Sequence, residues 1–442
     1  MFLSEFQKHI TNKLNFLNKK KLLIAISGGI DSVILTHLCH KLNLNIALAH
    51  CNFNLRGDES DADEAFVLDL AENLDLEIFI ESFDTEAYAK KQKQSIQMAA
   101  RALRYNWFGD LAEQLNFDFI LTAHQADDNL ETFLINFTRG TGIDGLTGIP
   151  EVNGKFVRPL LPFSSEAIEA YAKENKIKWR DDSSNKSVKY LRNKLRHEVV
   201  PILKEINPSL LQSFQNTLDN LNDTADIIEE SINAVLKRAI ETIDENHIAF
   251  KISEFKKVNN PKAYLFEVFK DYGFTEWHDV LDLLDAETGK QVFSQTHRLI
   301  KNRKHLLLSE INFEVSKTMS ISEHEKQVET PFGTLFFDDP DSYRDDAIFG
   351  KHTHILFVDK NKLEFPLSIR QHKAGDVFYP LGMTGKKKVS KYFKDEKLSL
   401  IDKENTWLLC SGEDVVWVIN RRADNRFRVT DNTKQILKIE LK

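Results

Sequence analysis

Six consecutive residues are the first in the chain with an evident chemical use: Ser27-Gly28-Gly29-Ile30-Asp31-Ser32. They follow an apolar run, Leu22 to Ile26, and a helical pattern starts at once behind them. The glycines permit positive φ and let backbone N–H groups close on an anion. Ser27 and Ser32 can add hydroxyl donors, and a helix start adds partial positive charge. Together they form a cradle suited to pyrophosphate, although a bare Gly-Gly pair could equally be a tight connection. The loop is neither GxxxxGK[ST] nor GxGxxG. A carboxylate inside an anion cradle is costly without a cation beside it, so Asp31 is expected to work with Mg²⁺.

A second group is Thr122-Ala123-His124-Gln125-Ala126-Asp127-Asp128-Asn129-Leu130-Glu131. A helix beginning near Ala126 puts Asp128 and Glu131 on one face, with His124 just ahead of it. Three readings stay open. The acids can be ordinary caps, favoured by the helix dipole; His124 and the carboxylates can hold a metal; or the carboxylates can face the glycine loop and receive Mg²⁺ or a substrate ammonium. Arginines suited to phosphate charge are Arg101 and Arg104, Arg139, and Arg192 and Arg196, each pair spaced for one helix face. A late basic cluster, Lys386, Lys387, Lys388, Lys391 and Lys394, then Arg421, Arg422, Arg426 and Arg428, is either a solvated face or a phosphate-binding patch.

The elements that must position these groups alternate. Apolar runs at Leu22–Ile26, Asn45–His50, near Leu76 and near Asp118 are separated by helical patterns such as DSVILTHLCHKL and SIQMAARALRYNWFGDLAEQL. This predicts βαβ units and an α/β doubly wound parallel sheet, with ligands beyond the carboxyl ends of its strands. From Pro208 the pattern becomes long, amphipathic and glycine-poor, which predicts a helical domain over 208–312. From 313 short strands predict a mixed, β-rich domain to 442, including a hairpin of TWLLC and VVWVI around a four-residue loop, Ser411–Asp414. Residues 1–207 make the first domain.

The chain has 442 residues with a net charge of −8, so any nucleic-acid contact must come from local patches. No apolar run reaches the ~20 residues of a membrane span, and the N-terminus lacks a signal-peptide core, so a cytoplasmic location without membrane contact is expected. Three cysteines, Cys39, Cys51 and Cys410, with no CxxC pair, argue against a disulfide framework, a zinc ribbon or a cysteine-bound cluster.

In order along the chain, SGGIDS, HCNFNLRGDESDAD, AARALRY, TAHQADDNLETFLINFTRGTGIDGL, RPLL (Arg158–Leu161), WRDDSSN (Trp179–Asn185) and YLRNKLRHEVVP resemble the tRNA(Ile)-lysidine synthetase family. That family is a branch of the PP-loop ATP pyrophosphatase superfamily. The stretch Arg370–Leu398 resembles the family's last domain. The resemblance implies that Ser27, Gly28, Gly29, Ile30, Asp31 and Ser32 hold the pyrophosphate end of ATP. It implies a ligase that joins the side-chain amine of free L-lysine to the wobble cytidine in the CAU anticodon of isoleucine tRNA. The route is an adenylated base, AMP and pyrophosphate leave, and the codon read changes from AUG to AUA. On this basis Asp31, Asp128, Glu131, Arg104 and Arg196 are expected to be catalytic, with Asp128 and Glu131 receiving the lysine. His124, Asp127, Arg101, Arg139 and Arg192 are expected at the substrate, and Lys386, Lys387, Lys388 and Lys391 at tRNA phosphates. A homodimer is compatible with the sequence. The alternative is another PP-loop tRNA-modifying enzyme, such as a thiolase, which would make Cys51 a candidate nucleophile.

Overall fold

The structure, a computed structural model, describes residues 1–180, 191–244, 247–311, 318–339, 354–383 and 385–442. Residues Asp181 to Tyr190, in the WRDDSSN and YLRNKLRHEVVP blocks, and the 312/313 boundary lie outside the described residues. Two compact units are present, Met1–Glu229 and Glu230–Lys442. Among the described residues no helix is long and apolar enough to cross a membrane.

The first unit runs α1 (Phe2–Asn12), β1 (Leu22–Ala25), α2 (Ile30–Lys41), β2 (Ile46–Asn52), α3 (Asp58–Asn73), β3 (Ile78–Ser82), α4 (Thr85–Gln92), α5 (Ile96–Gln114), β4 (Phe119–Leu121), α6 (Ala126–Arg139), α7 (Ile143–Leu146), β5 (Val152–Asn153), β6 (Phe156–Val157) and α8 (Ser165–Glu174). After the undescribed stretch come α9 (Leu191–Lys194), a π-helical turn (Leu195–Val199), α10 (Val200–Ile206) and α11 (Leu210–Ala239). The strands form one sheet in the order β3-β2-β1-β4-β6-β5. All pairs are parallel except β5 with β6. The doubly wound sheet expected from the alternation is therefore present. Its order reverses between β1 and β4, the position at which such sheets open a ligand crevice.

Burial explains why these segments are strands. Along β1, Leu22 and Ile24 enter a core with α1, α2, α3 and α8, while Leu23 enters the opposite core with α5. A strand covered on both faces reads as an unbroken apolar run. Each such side chain stabilises the fold by about 1.5–3 kcal/mol. The pair β5–β6 was not among the expected strands; each spans two residues around a left-handed Gly154, too short for any period to show.

The turn at Leu195–Val199 has a local cause. Pro201 sits in the next helical turn. In an α-helix its ring would meet the carbonyl of residue 197, and it can donate no N–H. The wider turn just before it relieves that conflict.

The second unit differs from the helical domain expected over 208–312. Besides helices it carries a five-stranded antiparallel sheet of Ile240–Ile243, Ile248–Lys251, His305–Glu310, His297–Asn302 and Gln291–Phe293. The sheet's core includes Phe250, Leu299, Leu306 and Leu308. Its strands are short, and the buried polar residues Lys301 and Ser309 break their apolar pattern. Further on, two antiparallel sheets share a core containing Trp407, Trp417 and Ile439, in keeping with the β-rich expectation. The expected hairpin is tighter than four loop residues. Ser411 pairs with Asp414, leaving Gly412-Glu413 as the turn, with Gly412 left-handed.

Candidate functional site

The loop after β1 and the loop after β4 flank the sheet's reversal point. In the first, Gly28 has φ +86 and Gly29 begins α2 without a side-chain cap, so the first backbone N–H groups of the helix are not used by one. Ser32 is buried, and its hydroxyl donates to Gly29 O at 2.9 Å while accepting from Ser27 N at 3.2 Å. It therefore braces the loop rather than offering a free donor, whereas Ser27 stands exposed at the rim. The Gly28 carbonyl accepts the Arg180 N–H at 3.0 Å. The Arg180 side chain is bonded to buried Asp63, which also accepts Arg56 Nη2 at 2.7 Å. This Arg56–Asp63–Arg180 tether was missed in the sequence, although it lies within two of the quoted blocks.

In the second loop the capping reading and the pocket reading both describe Asp128. One carboxylate oxygen accepts from Gln125 N at 3.2 Å, and Gln125 Oε1 accepts from Asp127 N at 2.8 Å, a reciprocal cap. The other oxygen of Asp128 accepts Arg196 Nη2 at 2.9 Å. Glu131, one turn on and 1% exposed, takes Arg196 Nε at 2.5 Å and Nη2 at 2.9 Å. Arg192 donates to Thr132 Oγ1 at 2.5 Å and holds its Nε 3.5 Å from Glu131. Two helices distant in sequence thus meet as carboxylates against guanidinium groups.

Burial, then the repulsion of Asp128, pushes the Asp31 carboxyl up to about 7, which links it electrostatically to this cluster. Burial also raises Glu131, opposed by its Arg196 hydrogen bond. For Arg196, burial works against the charge, yet the bonds to Glu131 and the field of Asp128 hold it above its ordinary value. His124 is pushed down to about 4, first by burial and then by Arg158, Arg192 and Arg101, against the pull of Asp128; it is neutral at physiological pH. Its Nδ1 lies 3.1 Å from Thr122 Oγ1.

Among the described residues no three His, Cys, Asp or Glu side chains converge as metal ligands. The arrangement does fit Mg²⁺ held the way nucleotide enzymes hold it, by one or two carboxylates with phosphates and water completing the shell. A carboxyl driven to about 7 by its surroundings is a group that a nearby cation would relieve.

Several expected residues lie elsewhere. Asp127 is committed to structure: it accepts Ser165 N at 2.9 Å and Lys204 Nζ at 2.5 Å, tying α6 to α8 and α10. Arg104 stacks on the Phe53 ring at 5.1 Å, beyond the end of β2 rather than in the acid cluster. Arg139 is exposed at the far end of α6.

Three family models match in order: a PP-loop domain over residues 2–203, a TilS substrate binding domain over 243–311, and a TilS substrate C-terminal domain over 367–441. The chain is 39% identical over 424 residues to a tRNA(Ile)-lysidine synthase of Parabacteroides distasonis, covering 95% of this chain and 94% of the relative. The chain belongs to the tRNA(Ile)-lysidine synthase family. It is also 38% identical to the synthase of Bacteroides thetaiotaomicron, with 97% of each chain covered, and 31% identical to that of Caldanaerobacter subterraneus, with 97% and 95% covered.

Membership of the lysidine synthase family disfavours the thiolase alternative, and the thiols agree: burial pushes Cys51 up to about 12, so it is protonated at neutral pH. In the second unit Lys386, Lys388 and Lys391 are exposed. Lys387 is not equivalent to them. It is half-buried, bonded to Asp395 at 2.7 Å and set over the Tyr392 ring.

Proposed function

We propose that this chain, as an ATP-dependent ligase, joins the side-chain amine of free L-lysine to the wobble cytidine of an isoleucine tRNA with a CAU anticodon. The observation that carries this reading is the meeting of Asp128 and Glu131 with Arg196 behind the loop that follows β4, while the glycine loop follows β1 on the other side of the sheet's reversal point. The cytosine 2-oxygen is a poor leaving group. Attack by that oxygen on the α-phosphate of ATP gives an adenylated base and releases pyrophosphate; the lysine amine then attacks the ring carbon and AMP departs. Backbone N–H groups of Gly28 to Ser32 and the start of α2 receive the pyrophosphate oxygens. Asp31 is the residue that would hold Mg²⁺, which supplies charge neutralisation of the phosphates. Asp128 and Glu131 accept the amine and one of them takes its proton. Arg196 moves from the carboxylates towards the phosphate charge as it develops. Lys386, Lys388 and Lys391 contact tRNA phosphates, giving salt-dependent affinity without base reading.

The test is a product assay with ATP, Mg²⁺, labelled lysine and isoleucine tRNA bearing CAU, with methionine tRNA as control. Label entering only the isoleucine tRNA, with AMP formed in step, supports the reading. AMP formed without label entering either tRNA refutes it.

A further inference from the structure

The Gly28 carbonyl and the Gly29 N–H belong to one peptide unit. A trans peptide is planar, so these two groups point in opposite directions. The backbone N–H of Arg180 holds the Gly28 carbonyl at 3.0 Å. It thereby turns the Gly29 N–H away from Arg180, where it makes a long, 3.4 Å bond to Ser27 Oγ. A phosphate oxygen can replace so weak a partner. Glycines flank this peptide on both sides, with Gly28 at φ +86, so no Cβ opposes rotation of its plane. Turned over, the loop would offer the phosphates a carbonyl oxygen in place of a donor.

Whatever holds Arg180 therefore bears on what the loop can bind. Trp179 packs against the core that includes β1, α2 and α3, and so brings the backbone alongside. The Arg180 side chain is bonded through Nε to Asp63 of α3. Asp63 is 8% exposed, and its other oxygen accepts Arg56 Nη2 at 2.7 Å. The same helix backs the loop directly. A Cβ on Gly28 would meet Phe66 at 3.5 Å and Val67 at 3.6 Å, one turn on from Asp63. Thus α3 both supports Gly28 and, through Arg180, fixes its carbonyl.

We infer that Asp63 is a positioning residue for ATP: by clamping Arg180 it keeps the Gly28–Gly29 peptide with its N–H, not its carbonyl, available to the pyrophosphate end. The inference rests on the ATP-dependent function proposed above. Both Asp63 oxygens are taken by arginines, so it acts through Arg180 rather than on the nucleotide. The sign of the effect separates this role from simple electrostatics. By Coulomb's law alone, removing a negative charge tightens the binding of an anion. Release of the peptide weakens it instead, because affinity falls with the fraction of loops in the competent orientation. Loss of one charge-assisted bond is enough to leave about one loop in ten competent, a tenfold rise in Kd.

The experiment is titration calorimetry of the full-length protein with Mg²⁺-ATP and with pyrophosphate, for wild type, Asp63→Asn and Arg180→Lys. Thermal melts, and KM for lysine with isoleucine tRNA at saturating ATP, are measured alongside. Asp63→Asn keeps the shape and loses the charge. It should raise Kd for ATP and for pyrophosphate about tenfold, while KM for lysine stays within about twofold. An unchanged or lower Kd for ATP overturns the inference. So does an equal loss for ATP and lysine together with a lowered Tm, the pattern of a contact that only holds the fold. Should Asp63→Asn not fold, Arg180→Lys decides: it keeps the positive charge and the backbone N–H but not the Nε bond, and an unchanged Kd for ATP in it overturns the inference. Wild type that binds ATP yet puts no lysine on tRNA refutes the function proposed above, and the Kd ratios alone then decide on Asp63. If wild type binds neither ATP nor pyrophosphate, both fall.

Discussion

Removing the Arg196 guanidinium tests whether the acid cluster is held as its geometry indicates. In Arg196→Ala, Glu131, 1% exposed in the native protein, loses donors at 2.5 and 2.9 Å, and Asp128 loses one at 2.9 Å. What remains for Glu131 is Arg192 at 3.5 Å. Stripping one partner from a buried ion pair costs about 3–5 kcal/mol. The Arg196 side chain is 34% exposed, and solvent screening there reduces the expected loss to about 2–3 kcal/mol. For a unit the size of Met1–Glu229 this lowers Tm by about 4–12 °C. The loss depends on pH. Burial raises Glu131 already, and without Arg196 it rises further. A carboxyl whose folded value lies above its unfolded one contributes stability at low pH and loses it as pH rises through the folded value. The deficit of the variant therefore widens with rising pH. Scanning calorimetry of wild type, Arg196→Ala, Glu131→Gln and the double variant, from about pH 5.5 to pH 8.5, reads all of this. The double variant should be more stable than Arg196→Ala, because it no longer buries an unpaired charge. A Tm for Arg196→Ala within about 1 °C of wild type, a pH-independent deficit, or strict additivity in the double variant would refute the reasoning.

Three other outcomes are expected. Asp128→Asn keeps an acceptor for Gln125 N but loses the one for Arg196 Nη2, so Tm should fall, while KM for lysine rises by about tenfold or more through loss of the charge; an unchanged KM removes Asp128 from the lysine site. Cys51 should resist iodoacetamide at neutral pH, with its thiol near 12, and Cys51→Ser should retain activity; rapid alkylation or an inactive variant contradicts this. Replacing Lys386, Lys388 and Lys391 together by Ala should flatten the salt dependence of tRNA affinity by about two to three log–log units. Lys387→Ala, which breaks a contact within the protein, should leave that slope alone; an equal effect from Lys387 would show that the exposed and half-buried lysines act alike.

How much of this was legible depended on range. The four main strands and the glycine loop could be read because a parallel strand covered on both faces has a continuous apolar signature. The cap at Gln125–Asp128 and the Asp128–Glu131 spacing are equally local. Arg196, by contrast, meets Glu131 across 65 residues, and no spacing rule carries that distance. Asp63 and Arg180 went unassigned although their blocks were noticed, because the bond between them joins segments far apart in the chain. Asp127 looked like its neighbour Asp128 until Ser165 and Lys204 were seen to occupy it. The sheet of the second unit was hidden by short strands with polar residues inside them.

The π-helical turn at Leu195–Val199 also sets how this region can change over time. It is one residue of slack between Pro201 and Arg192, with Arg196 inside it. Deleting a single residue there would restore ordinary helical pitch and rotate everything before it by about 100°, swinging Arg192 off Glu131 and Thr132 while leaving each side chain chemically intact. Replacing the exposed His197 or Glu198 would shift no direction at all. Drift along this stretch should therefore alter an exposed letter such as Glu198 readily and its length hardly ever, the helix keeping count for the site.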